Sequence, residues 1–144
     1  MEFVVPVHWP RLHIVHCGVL PDRYDGTAEG GGRSLIFVGR LAAVKGVPVL
    51  FDALERLGQK WPGLRLTLIG DGPERAALET RARQSGVRAV FAGYQPQDSV
   101  AIALRANDIL VFPSLAERVP VVLMESMAAG LPGVARRGAA LRLL

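Results

Sequence analysis

Two glutamates set in an apolar stretch are the first residues here whose type and spacing could do chemistry. Between Pro113 and Pro132 the chain reads P-S-L-A-E-R-V-P-V-V-L-M-E-S-M-A-A-G-L-P, with Glu117 and Glu125 eight positions apart. Pro120 suits the first position of a helix, where its missing N–H costs nothing, and Gly130 followed by Pro132 suits the stop. Val121, Val122, Leu123, Met124, Met127, Ala128 and Ala129 make this helix apolar around most of its circumference, the pattern of a buried helix. A lone carboxylate is costly to bury, so Glu125 requires a partner or a ligand. The plain alternatives are that it reaches the surface or pairs with a nearby arginine.

A second group lies upstream. Gly39 to Gly46 reads G-R-L-A-A-V-K-G, with Arg40 and Lys45 flanking small residues at a strand-to-helix junction. Arginine offers phosphate oxygens a planar fork of donors and lysine a compact charge. Together with helix N-termini they would stabilise a diphosphate leaving group without a metal. Two solvated cations in a loop is the other reading of the same pair. No G-x-G-x-x-G follows this strand, which argues against a nicotinamide or flavin site. His13 and His16 have no third ligand near them in sequence and read as ordinary strand histidines.

The elements that would position these groups alternate along the chain. Leu35 to Gly39 is a continuous apolar run of the buried parallel-strand kind. Val47 to Trp61 carries a helical stripe at Leu50, Leu54, Leu57 and Trp61. Leu64 to Gly70 is a second strand, broken by Asp71-Gly72-Pro73. A helix with Pro73 in its first turn then runs to about Gly86. Val87 to Phe91 is a third strand ending at Gly93-Tyr94, Gln97 to Ala106 a helix, and Ile109 to Phe112 the fourth strand. Leu131 to Ala135 fits a fifth, and Leu12 to Cys17 a short one ahead of the rest. Such alternation means right-handed βαβ units: an α/β fold with a doubly wound, Rossmann-like parallel sheet. Ligands bind such sheets beyond the carboxyl ends of the strands, near the reversal of strand order. That singles out Gly39 to Gly46, Gly70 to Pro73 and Pro113 to Val119.

Composition sets the bounds. The 144 residues are one domain's worth of sequence, half of them hydrophobic and a fifth charged, which is globular and not disordered. No apolar run approaches the roughly 20 residues of a membrane span. The opening M-E-F-V-V-P-V-H-W-P lacks a signal-peptide layout, and the single Cys17 cannot form an internal disulfide. Both point to the cytoplasm. The net charge of +4 is mild and its basic residues are scattered without interleaved aromatics, so nucleic acid is not indicated. A peripheral contact with an acidic membrane surface fits the same charge.

The E-x7-E pair, placed between a strand ending in F-P-S and the string M-E-S-M-A-A-G-L-P, resembles the signature of the retaining GT-B glycosyltransferases, the group-1 glycosyltransferase family. The G-R-L-x-x-x-K-G segment matches the same family at Gly39, Arg40, Leu41, Lys45 and Gly46. G-D-G-P resembles its G-x-G-P turn, and I-V-H-C-G-V-L-P-D-R-Y its lead into the carboxy-terminal domain, with Leu20 where the family often has Asp. The resemblance implies a metal-independent enzyme that takes a UDP-, GDP- or ADP-sugar donor and a saccharide or lipid-linked acceptor, with no cofactor. It implies that Glu117 approaches the donor sugar near the reacting carbon and that Glu125 accepts the ribose hydroxyls. Gly39, Arg40 and Lys45 would meet the diphosphate, and Gly70 and Gly72, where an ordinary tight turn is the other reading, would bring backbone close to the ligand or to a neighbouring helix. Tyr94 would lie by the base. Arg118, Val119, Pro120 and Val121 would present backbone amides and a helix N-terminus to the phosphates; Arg118 stands where the family commonly has a small residue.

The resemblance runs from about Ile14 to Val134, a part of the family's length. It divides the chain into residues 1–25 as an inter-domain segment, 26–33 as a Gly-rich linker, 34–135 as the nucleotide-sugar-binding domain and 136–144 as a divergent tail. Two further readings stand beside the donor half of a transferase. One is a non-catalytic nucleotide-sugar-binding module, and the other a related enzyme such as an epimerase or a phosphorylase, although no pyridoxal-phosphate lysine motif is present. A truncated chain of this kind is expected to transfer no sugar alone. It is also expected to leave an open sheet edge beyond Leu131, only partly capped by Leu141, Leu143 and Leu144, with fast-exchanging amides there.

Overall fold

Five short strands, each apolar on at least one face, form one parallel sheet. The computed structural model describes residues 10–11, 13, 15, 17–25, 31–117 and 120–136. In chain order the elements are β1 (Ser34–Val38), α1 (Val47–Lys60), β2 (Arg65–Ile69), α2 (Arg75–Ser85), β3 (Arg88–Gly93), α3 (Gln97–Arg105), β4 (Ile109–Phe112), α4 (Val121–Ala128) and β5 (Gly133–Ala135). The spatial order is β3-β2-β1-β4-β5, with every pairing parallel. Strand order therefore reverses between β1 and β4. This is the doubly wound α/β sheet that the alternation of elements predicts.

The two faces follow from the period of the strand. Leu35 and Phe37 of β1 join Leu66, Leu68, Leu50, Phe51, Leu54, Leu78 and Ala82 beneath α1 and α2. Ile36 turns the other way, into a core with Ile69, Leu110, Phe112, Val100, Leu104, Leu123 and Leu131 beneath α3 and α4. A right-handed crossover requires this split: α1 and α2 carry the chain one way from β1, and α3 and α4 carry it back past β1 on the other face. On the α1 side, β4 and β5 have no helix of their own among the described residues. An apolar groove of about 640 Å³ remains there, floored by Ile109, Val111 and Val134 and walled by Val49, Ala53 and Leu57.

Several boundaries differ from the sequence reading. Among residues 12 to 17, His13, Val15 and Cys17 form no strand and are exposed; Leu12, Ile14 and His16 lie outside the described residues. The ordered feature here is instead a 3₁₀ turn, Pro21–Tyr24, whose Tyr24 is 1% exposed in the α3–α4 core. Helix α2 starts at Arg75, two residues after Pro73, and the amide of its N-cap Glu74 bonds to the Leu41 carbonyl at 3.0 Å in a neighbouring loop. β3 runs on to Gly93, whose carbonyl accepts from the Gly70 amide at 2.8 Å. Pro120 caps α4 from an extended conformation and is not its first residue. β5 is three residues long, shorter than Leu131 to Ala135; Pro132 just before it has no N–H to give the ladder, although its carbonyl accepts the Leu110 amide at 2.9 Å. Residues 26–30 of the Gly-rich linker and 137–144 of the tail lie outside the described residues. Where the linker emerges, both oxygens of Asp108 anchor it: Oδ1 takes the Gly32 amide at 2.8 Å and Oδ2 the Ser34 amide at 2.7 Å. Those amide bonds hold the Asp108 carboxyl below its ordinary range.

Candidate functional site

The three loops picked out by the sequence meet at the carboxyl ends of the strands. Backbone contact holds them, and glycine makes the contact possible. A Cβ on Gly70 would lie 2.1 Å from the Gly39 carbonyl oxygen, and one on Gly72 would lie 2.3 Å from that of Leu41. The Leu41 amide completes this seam with a 2.9 Å bond to the Asp71 carbonyl. The close approach expected at Gly70 and Gly72 is made within the chain by the loop after β1. A second seam joins that loop to the one after β4. Gly46, at φ +66°, would drive a Cβ to 2.4 Å from the Pro113 oxygen, and the Leu115 amide bonds Val44 at 2.8 Å.

Across the second seam Lys45 Nζ donates to Glu117 Oε1, an ion pair between residues 72 positions apart. Ser114 Oγ donates to the same oxygen at 2.9 Å, and Ser114 is itself buried. The two outer loops of the strand-order reversal thus carry one cation and one carboxylate in contact. Arg40 is exposed and forms no ion pair among the described residues. Pro120 has no N–H and α4 has no side-chain cap, so the Val121 and Val122 amides open the helix without an intrahelical acceptor. Arg118 and Val119, also expected here, lie outside the described residues. Tyr94, just after β3, is 84% exposed.

Glu125 is buried at 8% exposure, as its apolar helix requires, and its partners among the described residues are not arginines. Oε1 accepts the Tyr24 hydroxyl at 2.9 Å and Gln97 Nε2 at 3.3 Å. Oε2 takes no bond from a described residue. Gln97 opens α3 immediately beyond β3, which puts this carboxylate at the same end of the sheet as the loops. Burial, then the bond to Glu125, pushes the Tyr24 hydroxyl above its ordinary value of 10.0. Sequence reasoning missed Ser114, Gln97 and Tyr24. Ser114 was legible as the polar residue of F-P-S; Tyr24 meets Glu125 across 101 positions, and no local pattern announces that.

At this end of the sheet lie two cations after β1, one of them paired to a carboxylate after β4, the N-terminus of α4, and a buried carboxylate whose second oxygen takes no bond from a described residue. They suit a ligand with anionic and hydroxyl-rich parts. Comparison with known proteins gives the family and the fold. A family profile described as Glycosyl transferases group 1 matches residues 32–143. The 2-deoxystreptamine glucosyltransferase of Streptomyces kanamyceticus is 34% identical over 109 residues, covering 74% of this chain and 28% of its own. The carboxy-terminal domain of the group 1 glycosyl transferase LpcC from Francisella tularensis superposes with a TM-score of 0.74 at 23% identity, over 86% of this chain and 73% of that one. HepE from Anabaena, in complex with UDP and glucose, gives 0.75 at 23% identity over 91% of this chain and 39% of its own. The chain spans about a quarter of the length of the curated relatives it matches.

Proposed function

The chain belongs to the group 1 glycosyltransferases, and from that membership we propose that it holds the nucleotide-sugar donor for a retaining, metal-independent sugar transfer. The observation that carries this reading is the Lys45–Glu117 contact, which joins the loops after β1 and β4 where strand order reverses. In the proposed complex Arg40 and Lys45 meet the diphosphate of a UDP-, GDP- or ADP-sugar. As the bond to the sugar breaks, negative charge grows on that diphosphate, and the two cations with the Val121 and Val122 amides stabilise it. No metal is needed for this.

Glu117 is the carboxylate nearest that charge, and its bond to Lys45 holds it at the mouth of the crevice. It approaches the sugar hydroxyls near the reacting carbon. Glu125 accepts ribose hydroxyls through Oε2, and the exposed ring of Tyr94 lies where the base would rest. Gly39, Gly70 and Gly72 set the loop backbone beneath the donor. The acceptor is a saccharide or a lipid-linked sugar, and the setting is cytoplasmic, with a peripheral membrane contact for a lipid-linked acceptor.

Titration calorimetry of the chain with UDP, GDP, ADP and their sugars tests the assignment. Replacing both Arg40 and Lys45 by Ala is expected to weaken binding by about 1.5–3 kcal/mol per charged hydrogen bond lost. Equal binding by the double variant would overturn the phosphate assignment.

A further inference from the structure

Glu125 has been fitted with two donors, and both land on the same oxygen. The Tyr24 hydroxyl and Gln97 Nε2 share Oε1, at 2.9 and 3.3 Å. The terminal torsion of a glutamate is broad and roughly two-fold, so a carboxylate with free oxygens turns readily. Two donors on one oxygen remove that freedom and fix the direction of the other. The donors are themselves held. Arg23 donates to Gln97 Oε1 at 3.1 Å, which turns the Gln97 amide so that its nitrogen faces Glu125. Arg105 in turn donates to the Arg23 carbonyl at 3.2 Å, pinning the Pro21–Tyr24 turn to the far end of α3. That turn packs against both α3 and α4, which brings Tyr24 to 1% exposure. Because burial raises its pKa, the Tyr24 hydroxyl stays a proton donor throughout the neutral range.

We propose that Tyr24 is a positioning residue for the donor site. With Gln97 and Arg23 it saturates Oε1 of Glu125 and aims Oε2 at the hydroxyl pair of the donor ribose. The inference rests on the reading of Glu125 as the ribose acceptor. It adds that four residues ahead of the sheet set the site's preference for a ribose over a deoxyribose. A pre-aimed acceptor spends no ordering entropy when the ligand arrives, so the gain is in affinity and discrimination together.

The test compares whichever of UDP, GDP and ADP binds the full chain tightest with its 2′-deoxy form. The comparison is made for the wild type, Tyr24→Phe and Glu125→Ala, with thermal stability followed alongside. The expected result for Tyr24→Phe is a ribonucleotide affinity about threefold to tenfold lower with a clearly smaller loss for the 2′-deoxy form, which keeps one hydroxyl of the pair. A merely structural role would lower both affinities equally, and that result overturns the proposal. So does a wild-type ribose preference in Tyr24→Phe when Glu125→Ala has lost it. A ribose preference that survives Glu125→Ala, or no binding of any of the three, instead overturns the reading of Glu125 on which the proposal stands.

Discussion

The two flanks of β1 are built to different standards. On the β2–β3 side, α1 and α2 cover the sheet and are fastened to one another by Arg81. Its guanidinium reaches Asp52 at 2.5 Å, Glu55 at 2.8 Å and the Pro48 carbonyl at 3.0 Å, and lies 5.7 Å from the centre of the Phe51 ring. The α1–α2 face is closed over β2 and β3, whose opposite face leaves Val90 62% exposed; on the β4–β5 side the described residues cover the α4 face only. There the other face is the apolar groove between α1 and the last two strands, and Val134 is 63% exposed. The crevice where the donor is proposed to bind lies on the boundary between the two. Half of the site therefore rests on a flank fastened beneath α1 and α2 and half on one whose α1 face carries the apolar groove. The lesson is that the Gly46 seam and the Lys45–Glu117 pair must transmit the order of the first half to the second.

The contrast breaks most visibly under side-chain truncation. Phe51→Ala removes a fully buried ring from the closed flank and is expected to cost about 3–5 kcal/mol in urea unfolding. Val134→Ala on the open flank is expected to stay within about 0.5 kcal/mol. Comparable losses from the two would erase the distinction between the flanks.

The seam comes next. Gly46→Ala places a methyl group against the Pro113 carbonyl at a φ of +66° and is expected to cost about 2–3 kcal/mol. It should also weaken nucleotide binding, because Lys45 and the Pro113 loop move apart. A variant as stable as the wild type would show that the flanks are not joined there.

The smallest effect concerns Asp108, which anchors the start of β1 from the β4 side. Its carboxyl is held below the ordinary value of 3.8 by the Gly32 and Ser34 amides. Its contribution is therefore present above about pH 4 and is lost as pH falls through the depressed value. Asp108→Ala should cost about 1–2 kcal/mol at neutral pH and flatten the acid limb of the stability profile. An acid limb unchanged in the variant would remove Asp108 from the link between the flanks.

Much of the sheet was legible because the chain writes it in apolar runs. Leu35 to Val38 and Ile109 to Phe112 have no polar residue to suggest a surface strand, and the helices between them keep their stripes. What the sequence left unreadable was set by long-range contacts. β3 runs on to Gly93 because the Gly70 amide, far off in sequence, bonds its last carbonyl. The carboxylate in α4 was recognisable as a group needing a partner. Its partner was not, since Tyr24 ends a short polar turn with no periodicity of its own. The glycines of G-D-G-P were recognisable as a place of close approach; only the fold says that the approaching backbone belongs to Gly39 and Leu41.

That last contact bears on how such a crevice can diversify. At Gly46, Gly70 and Gly72 any side chain meets main chain belonging to another loop, so none of the three loops can change course without the other two. Substitutions that survive there must fall on residues that face outward, such as Ala43, Val44, Tyr94, Leu115 and Ala116, all exposed. The frame would then stay fixed while its rim drifts, and descendants of one ancestor could part company over which sugar nucleotide they take without any loop being rebuilt.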